Sequence, residues 1–403
     1  MQILRFGRGA SLPSLIVPSA VYVGLSLLIT AAIWPFIPQH TDEALVTFSL
    51  FAVWRYGWQL THFIRAAYYA KIRYPRLREA AHSLPYDQRF PDHIFFVIPS
   101  YKEDAWVSIE CIHSILSNMS TLPIKATLVI PTGCDEDDVV IARAVEAHPA
   151  NKKIQVILQR QKDGKRIAMG HALRAVARRY ADEPNSVTFF MDGDSYLETE
   201  TLYKLLPFFA ANPKLGAVTT NEIAFVDSKS VLYKDWFNLK FGQRHVLFQS
   251  HAMSNKVMTL TGRFSVFRTS IVVTEEFISR IEVDSISHWR HGKFRFLMGD
   301  DKSSWFHLLK NKWEMLYLPD ILCYSLESRD ADFFQVSMSL PYRWYGNTLR
   351  NNSRALKLGP STTGWFIWIC ILDQRLSMWT SLVGLAGAIV LSFLHSPVFL
   401  PMY

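Results

Sequence analysis

Three aspartate pairs with the spacing Asp-x-Asp occur in the chain, at Asp135/Asp137, Asp192/Asp194 and Asp330/Asp332. Only the middle pair directly follows a short apolar run, Ser186 to Met191 (SVTFFM). That run is too short for a helix and rich in Val, Thr and Phe, so it reads as an interior strand of an α/β sheet. Ligands of open α/β sheets bind at the carboxyl ends of strands. Two carboxylates fixed there, with Gly193 between them, can hold a hard divalent cation that also binds diphosphate oxygens. The other two pairs read as solvated loop. A second acidic set, Asp300 and Asp301, lies in a Gly-Asp-Asp-Lys turn ahead of a predicted helix, Asp301 to Lys310. One of these carboxylates can cap the helix. A carboxylate with an ordinary pKa of about 4 is also ionised at neutral pH and can accept a proton from a hydroxyl. Lys302 can pair with a diphosphate or merely with Asp300. Lys165 and Arg166 follow Gly164 at a helix start, where amides and two cations can face a diphosphate or simply form a solvated basic turn. Tyr101 and Glu103 follow another strand pattern, where a ring and a carboxylate can hold a nucleobase and ribose or simply face water.

These groups need a sheet to position them. His93 to Pro99, Ile124 to Pro131, Ile154 to Leu158 and Ser186 to Met191 read as strands. Helical stretches follow at Trp106 to Leu116, up to about His148, and at Lys165 to Tyr180. Strand and helix in alternation predict an α/β domain with a mainly parallel sheet and right-handed crossovers. The composition, 49% hydrophobic and 19% charged, allows a large core and leans towards a membrane, and the formal charge of +8 suits an anionic partner. No Asp, Glu, Lys or Arg lies between Arg8 and Asp42, so Leu15 to Phe36 predicts a transmembrane helix, with a cleaved signal peptide as the alternative. A second apolar run, Ala44 to Ile64, is interrupted by Arg55, and an uncharged run from Leu376 to Tyr403 can span once. Basic residues before the first run and after the second place both ends in the cytoplasm. Cys111, Cys134, Cys323 and Cys370 form no C-x-x-C pair, which suggests neither a zinc site nor a disulfide framework. His288 and His291 read as polar surface in a basic stretch rather than as metal ligands.

The segments VIPSYKED (Val97 to Asp104), Gly-Lys-Arg at 164–166, MDGD, TGRFSVFR (Thr261 to Arg268), MGDDKSSWF (Met298 to Phe306) and PYRWYGNTLRNNSRAL (Pro341 to Leu356) occur in this order. In that order the chain resembles the membrane-bound, processive family 2 glycosyltransferases. TTNE (Thr219 to Glu222), SHWRHGKFRFLMGDDKSSW and LDQRLSMWTS make it most similar to the mannuronan synthases that polymerise alginate. The resemblance implies a cytosolic nucleotide-sugar-binding (GT-A type) domain flanked by transmembrane helices. It implies a divalent cation, Mg²⁺ or Mn²⁺, at Asp192 and Asp194, with Asp301 as catalytic base and Asp300 in support. Tyr101, Glu103, Asp135, Lys165, Arg166 and Lys302 would contact the nucleotide sugar. Gly262, Arg263, Arg343, Trp344 and Arg350 would line the acceptor site and channel, although Leu340 stands where this family's Q-x-x-R-W motif has Gln.

The expected organisation is a transmembrane hairpin and basic linker at 1–90, the transferase domain at 91–340, amphipathic interface helices at 341–375 and a membrane helix at 376–403, with further helices in the family beyond. On a helix, Arg343, Arg350, Arg354 and Lys357 share one face, opposite Tyr345, Leu349 and Leu356. That face can meet lipid phosphate, a diphosphate or an acidic polymer. The implied activity is inverting transfer of mannuronate from GDP-mannuronate to a growing polysaccharide acceptor at the bacterial inner membrane. The implied partners are membrane lipid, a co-polymerase that binds cyclic di-GMP and an export complex, and no nucleic acid. A cellulose, chitin or hyaluronan type synthase using a UDP-sugar, and a non-catalytic sugar-nucleotide-binding scaffold, are the alternatives.

Overall fold

The computed structural model describes residues 41–402 apart from 227–229, 289–291, 295–298 and 328–331, together with residues 20, 24, 28 and 31. Most of the run 15–36, His291, Met298 and Asp330 therefore lie outside the described residues. The strand patterns of the first half become β1 (His93–Val97), β2 (Lys125–Thr132), β3 (Ile154–Arg160) and β4 (Ser186–Met191), mutually parallel. Every residue of β1 and β4 is buried, as expected of parallel strands covered on both faces. Phe96 and Phe189 stack across the pair with ring centroids 4.5 Å apart.

The second half departs from a simple parallel sheet. β5 (Ser195–Leu197), β6 (Leu215–Phe225), β7 (Phe264–Arg268), the short hairpin of β8 (Ile286–His288) and β9 (Gly292–Phe294), and β10 (Glu314–Leu326) follow in the chain. The main sheet has the order β3-β2-β1-β4-β7-β6-β10-β5. In it β7 runs antiparallel to both β4 and β6, while β6 and β10 are parallel. The register pairs Met191 with Phe264, so the residues that enter β7 lie beside the carboxyl end of β4. Asp192 N–H donates to the Arg263 carbonyl at 3.2 Å and fixes that junction.

The helices used below are α1 (Thr41–Tyr68), α2 (Ala105–Ser120), α3 (Asp135–Glu146), α4 (Lys165–Tyr180), α5 (Val231–Ala252), α6 (Glu275–Glu282), α7 (Asp300–Lys310), α8 (Phe333–Leu356) and α9 (Trp365–Leu394). α7 is anchored by Trp305, whose indole is fully buried and donates to the Val257 carbonyl at 2.7 Å. α8 does not present the cationic face that its spacing suggests. Arg343 and Arg350 are exposed, but Arg354 turns inward and donates to both carboxylate oxygens of Asp284, at 2.7 and 2.6 Å. Tyr345, expected on the opposite side, is exposed, and the buried face carries Asn347, Asn351, Asn352 and Ala355. The helical period says which residues share a face; the neighbouring α7 and the Asp284 loop decide which face is inside.

Among the described residues no helix is long and apolar enough to cross a membrane. α1 and α9 nevertheless expose Leu50, Val53, Phe63, Leu385 and Phe393, and Arg55 is paired with Asp373 at 2.9 Å, joining the two helices.

Asp284 is 4% exposed, so removing its partner strands a charge. Arg354→Met should destabilise the fold by about 3 kcal/mol, at the low end for a buried pair because Arg280 stands 3.9 Å from the same carboxylate. Adding Asp284→Asn should recover part of the loss, as read by thermal or denaturant unfolding.

Candidate active site

The centre of the site is a cation held between carboxylates from two elements. Gly164, at φ 96°, starts α4 so that Lys165 extends over the end of β4. Its Nζ lies 2.6 Å from Asp192 Oδ1 and 3.6 Å from Asp300 Oδ2. Burial works against the ammonium, but these two carboxylates outweigh it and hold Lys165 firmly protonated. Gly262 closes the cluster from the β7 side. A Cβ there would stand 3.3 Å from Lys165 Nζ, 3.6 Å from Asp300 Oδ2 and 3.7 Å from Asp192 Oδ2. Asp192, Lys165, Gly262 and Asp300 thus meet in one place, although 108 positions separate the two aspartates in the chain.

Asp301, next to Asp300 at the start of α7, receives the side-chain amide of Asn347 from α8 at 3.3 Å. Burial and the neighbouring Asp300 carboxylate raise its pKa above the ordinary carboxylate range, while Lys302 and Lys165 oppose the rise. The sequence reading needed no perturbed pKa; the structure supplies one, and it makes the ionised form a stronger proton acceptor. Asn347 is held in turn by Asn351, whose Nδ2 lies 3.2 Å from Asn347 Oδ1, and Arg354 hydrogen-bonds Asn351. Asn347 carried no signal in the sequence, because a lone Asn in a polar helix has many solvated counterparts.

Towards β1 the site becomes acidic. Burial and then Asp192 push Asp194 up to about 6. Burial and then the charges of Asp194 and Asp192 push Glu103 up to about 7. Such mutually raised carboxylates mark a surplus of negative charge, the environment that a hard cation relieves. Two carboxylates, with diphosphate oxygens and water as the remaining ligands, suit Mg²⁺ or Mn²⁺. Tyr101 is 62% exposed at the rim, its ring against Gly133 at the end of β2.

Three expected contacts are turned away. Arg166 follows Lys165 on α4, roughly 100° further round the helix, and donates to the Ile281 and Arg280 carbonyls at 2.6 Å. Lys302 is 3% exposed and donates to the Met258 carbonyl at 2.6 Å; burial lowers its pKa to about 8. Asp135 sits at the start of α3, its carboxylate almost wholly solvated and paired with Arg160. Asp137, buried and accepting from the Lys102 amide at 3.3 Å, is the aspartate of that loop near Glu103. Two residues apart, Asp135 and Asp137 point about 200° away from each other on the first turn of the helix, and spacing alone did not select between them.

On the other side of β4, Arg263 enters between two buried carboxylates. It is ion-paired with Glu327 and lies 3.4 Å from Glu222, which also receives Arg244 of α5 at 2.6 Å. The two guanidiniums keep Glu222 below the usual carboxylate range in spite of its burial. Above them Trp236 of α5 and Trp344 of α8 stack with centroids 6.4 Å apart, and Arg263 lies 6.0 Å from the Trp344 ring. Glu222, Arg244, Glu327 and Trp236 were not singled out as site residues from sequence. Glu222 had a usable signal of another kind, a carboxylate inside the strand LGAVTTNEIAF, where a buried charge needs a partner.

The chain matches the family described as "Glycosyltransferase like family 2" over residues 91–347. A protein named Glycosyltransferase alg8 from Pseudomonas syringae pv. tomato is 37% identical over 353 residues, which is 87% of this chain and 71% of that protein. One of the same name from Azotobacter vinelandii is 34% identical over 380 residues, 93% of this chain and 76% of that one. The structure of a mannosyltransferase from Pyrobaculum calidifontis in complex with GDP-Man and Mn²⁺ superposes with a TM-score of 0.50 at 16% identity, over 88% of this chain and 96% of the other. That likeness is one of fold: a mixed α/β, GT-A-like domain with a mainly parallel sheet.

If Asp301 is the base, it must be ionised to accept a proton, and activity should fall on acidification through an apparent pKa above the ordinary carboxylate value of about 4. Asp301→Asn should lower kcat by about 10²–10⁴ and change the shape of the acid limb, as read from pH–rate profiles of both proteins at saturating Mn²⁺. Protons compete with a cation at Asp194, so Mn²⁺ affinity measured by titration should weaken below about pH 6, where that carboxylate protonates. Gly262→Ala places a methyl group among Lys165, Asp192 and Asp300, and should weaken donor binding while leaving the melting temperature within a few degrees.

Proposed function

The chain belongs to glycosyltransferase family 2, and we propose that within it this protein is a metal-dependent, inverting polymerase that transfers mannuronate from GDP-mannuronic acid to a growing β-1,4-linked polymannuronate. The observation that carries the reading is Lys165 bridging Asp192 and Asp300, which brings the strand-end carboxylates to the residue directly before the proposed base, Asp301, in a single site. A non-catalytic scaffold has no use for a base set beside a cation-binding edge. The substrate rests on the two relatives named Glycosyltransferase alg8 and on the similarity of sequence to mannuronan synthases.

In this mechanism Tyr101 and Glu103 hold the nucleoside at the rim. Asp192 and Asp194 would hold a divalent cation, which would supply positive charge to offset the charge developing on the leaving diphosphate. Lys165, already protonated, offers a second cation on the same side. Asp301 accepts the proton of the acceptor hydroxyl as that oxygen forms the new glycosidic bond and the nucleoside diphosphate departs from the opposite face. Asn347 keeps the carboxylate oriented for that transfer. One displacement with one base inverts the anomeric centre, and no second carboxylate on the other sugar face is required. Trp344 and Trp236 offer ring faces on which the acceptor sugar stacks.

The site of action is the inner face of a bacterial cytoplasmic membrane. Support comes from the uncharged run 15–36, the exposed apolar residues of α1 and α9, and the basic residues that follow α1. The Arg55–Asp373 pair would neutralise both charges near lipid. A cyclic di-GMP-binding co-polymerase and an export complex complete the assembly implied by the sequence similarity.

The first test is transfer of radiolabelled sugar by membranes containing the chain and its co-polymerase, supplied in turn with GDP-mannuronate, UDP-glucose, UDP-N-acetylglucosamine and UDP-glucuronate with Mg²⁺. Polymer from GDP-mannuronate alone, absent in Asp301→Asn, is expected. Incorporation from a UDP-sugar instead would keep the mechanism and discard the substrate, and unchanged polymer output in Asp301→Asn would establish the scaffold. Arg350→Ala, at an exposed position of α8, should lower polymer output without releasing the protein from membranes; unchanged synthesis would remove Arg350 from the polymer path.

A further inference from the structure

We propose that His62, His251 and Cys370 form a second metal site, for a borderline-soft transition-metal ion such as Zn²⁺, at the junction of α1, α5 and α9. One ligand atom from each residue lies within 4.8 Å of the others. All three side chains are buried, His62 4%, His251 3% and Cys370 3% exposed. A tetrahedral zinc with bonds of about 2.0–2.3 Å places its ligand atoms roughly 3.5 Å apart, so closing the cluster needs side-chain movements of about 1 Å.

Two further observations point to a ligand. His251 Nδ1 is buried with no hydrogen-bond partner. A buried polar atom left in that state costs about 1–3 kcal/mol, and coordination removes the cost. His62 Nδ1 is within 2.9 Å of Ser250 Oγ, which fixes the ring and leaves Nε2 as the ligand atom. The rings of His62 and His251 stand edge to face with centroids 5.5 Å apart, an arrangement in which lone pairs from two imidazoles can converge on one ion.

Burial disfavours a free thiolate at Cys370, and the nearby Arg65 only partly opposes this. Arg65 lies over the Phe366 ring at 3.6 Å and donates to the Ser250 carbonyl at 3.1 Å, one residue from His251. When the ion binds, the Cys370 thiol proton leaves to solvent and an S–metal bond replaces the S–H bond. The resulting thiolate offsets one of the two added charges and faces the Arg65 guanidinium. Imidazole and thiolate select zinc over magnesium, the reverse of the preference at Asp192 and Asp194.

The consequence is a staple. α5 carries Trp236, Phe241 and Arg244 against the acceptor side and His251 in its last turn. A metal at His251 would fix that helix to α1 and α9, the two helices with exposed apolar faces. Neither cysteine spacing nor histidine spacing shows this, because the ligands come from three separate segments.

The test uses the full-length purified protein. About one zinc per chain should survive dialysis against a weak chelator, and cobalt substitution should give a thiolate-to-metal charge-transfer band, to which a site built only of carboxylates is silent. Cys370→Ser should abolish the band, Cys134→Ser and Asp192→Asn should keep it, and stripping the metal should lower the melting temperature until Zn²⁺, not Mg²⁺, restores it. Wild-type protein that takes up no zinc when equilibrated with it, cobalt bound without a thiolate band, or a band that persists in Cys370→Ser would each overturn the proposal. Because the wild-type measurements need no variant, misfolding of Cys370→Ser leaves the proposal falsifiable.

Discussion

Lys165 is the interaction on which the site depends. Four carboxylates, Asp192, Asp194, Asp300 and Glu103, are drawn to one edge of the sheet, and their mutual repulsion would push protons onto them or push the β4 end and the α7 turn apart. At an effective dielectric of about 20, unit charges 4 Å apart interact by about 4 kcal/mol, enough to decide either outcome. The ammonium between Asp192 and Asp300 makes the approach favourable, while Asp194 and Glu103 stay uncompensated and carry raised pKa values. The same chain therefore builds a stable junction and leaves surplus negative charge on Asp194 and Glu103.

A second ionic layer supports the first. Glu222, Arg263, Arg244 and Glu327 come from β6, the start of β7, α5 and the end of β10. Buried ion pairs contribute little net stability, but breaking one strands a charge, so they fix position more than they add energy. Here the fixed position is that of Arg263, whose backbone carbonyl accepts from Asp192 N–H and whose guanidinium lies under Trp344. Donor edge and acceptor surface are thereby referred to one residue.

The outer elements divide their faces sharply. α8 turns Asn347, Asn351 and Arg354 inward to Asp301 and to Asp284, and turns Tyr342 and Tyr345 outward. α1 and α9 send Arg55 and Asp373 to each other and leave large apolar side chains exposed. These helices bury some polar groups beside apolar ones such as Ile367, Ile371, Val336 and Leu340, and they expose large apolar side chains.

The amino-acid sequence by itself determined the first four strands, nearly to their ends; it singled out Asp192 and Asp194 because they end a six-residue apolar run, and Asp300 and Asp301 because they form a Gly-Asp-Asp-Lys turn ahead of a helix. It also fixed the start of α4 at Lys165, through the Gly164 that precedes it. Tertiary structure decided the remainder. Lys165 and Arg166 are adjacent in the chain, yet the turn of a helix sends one to the carboxylates and the other to the carbonyls of Arg280 and Ile281. Asp137 rather than Asp135 lies near Glu103, Asn347 reaches Asp301 across 46 positions, and His62, His251 and Cys370 converge from three helices. The physical reason is common to all of these cases. Local patterns encode which residues share a strand or a face, whereas the direction in which a polar side chain finds its partner depends on segments that only the folded sheet brings near.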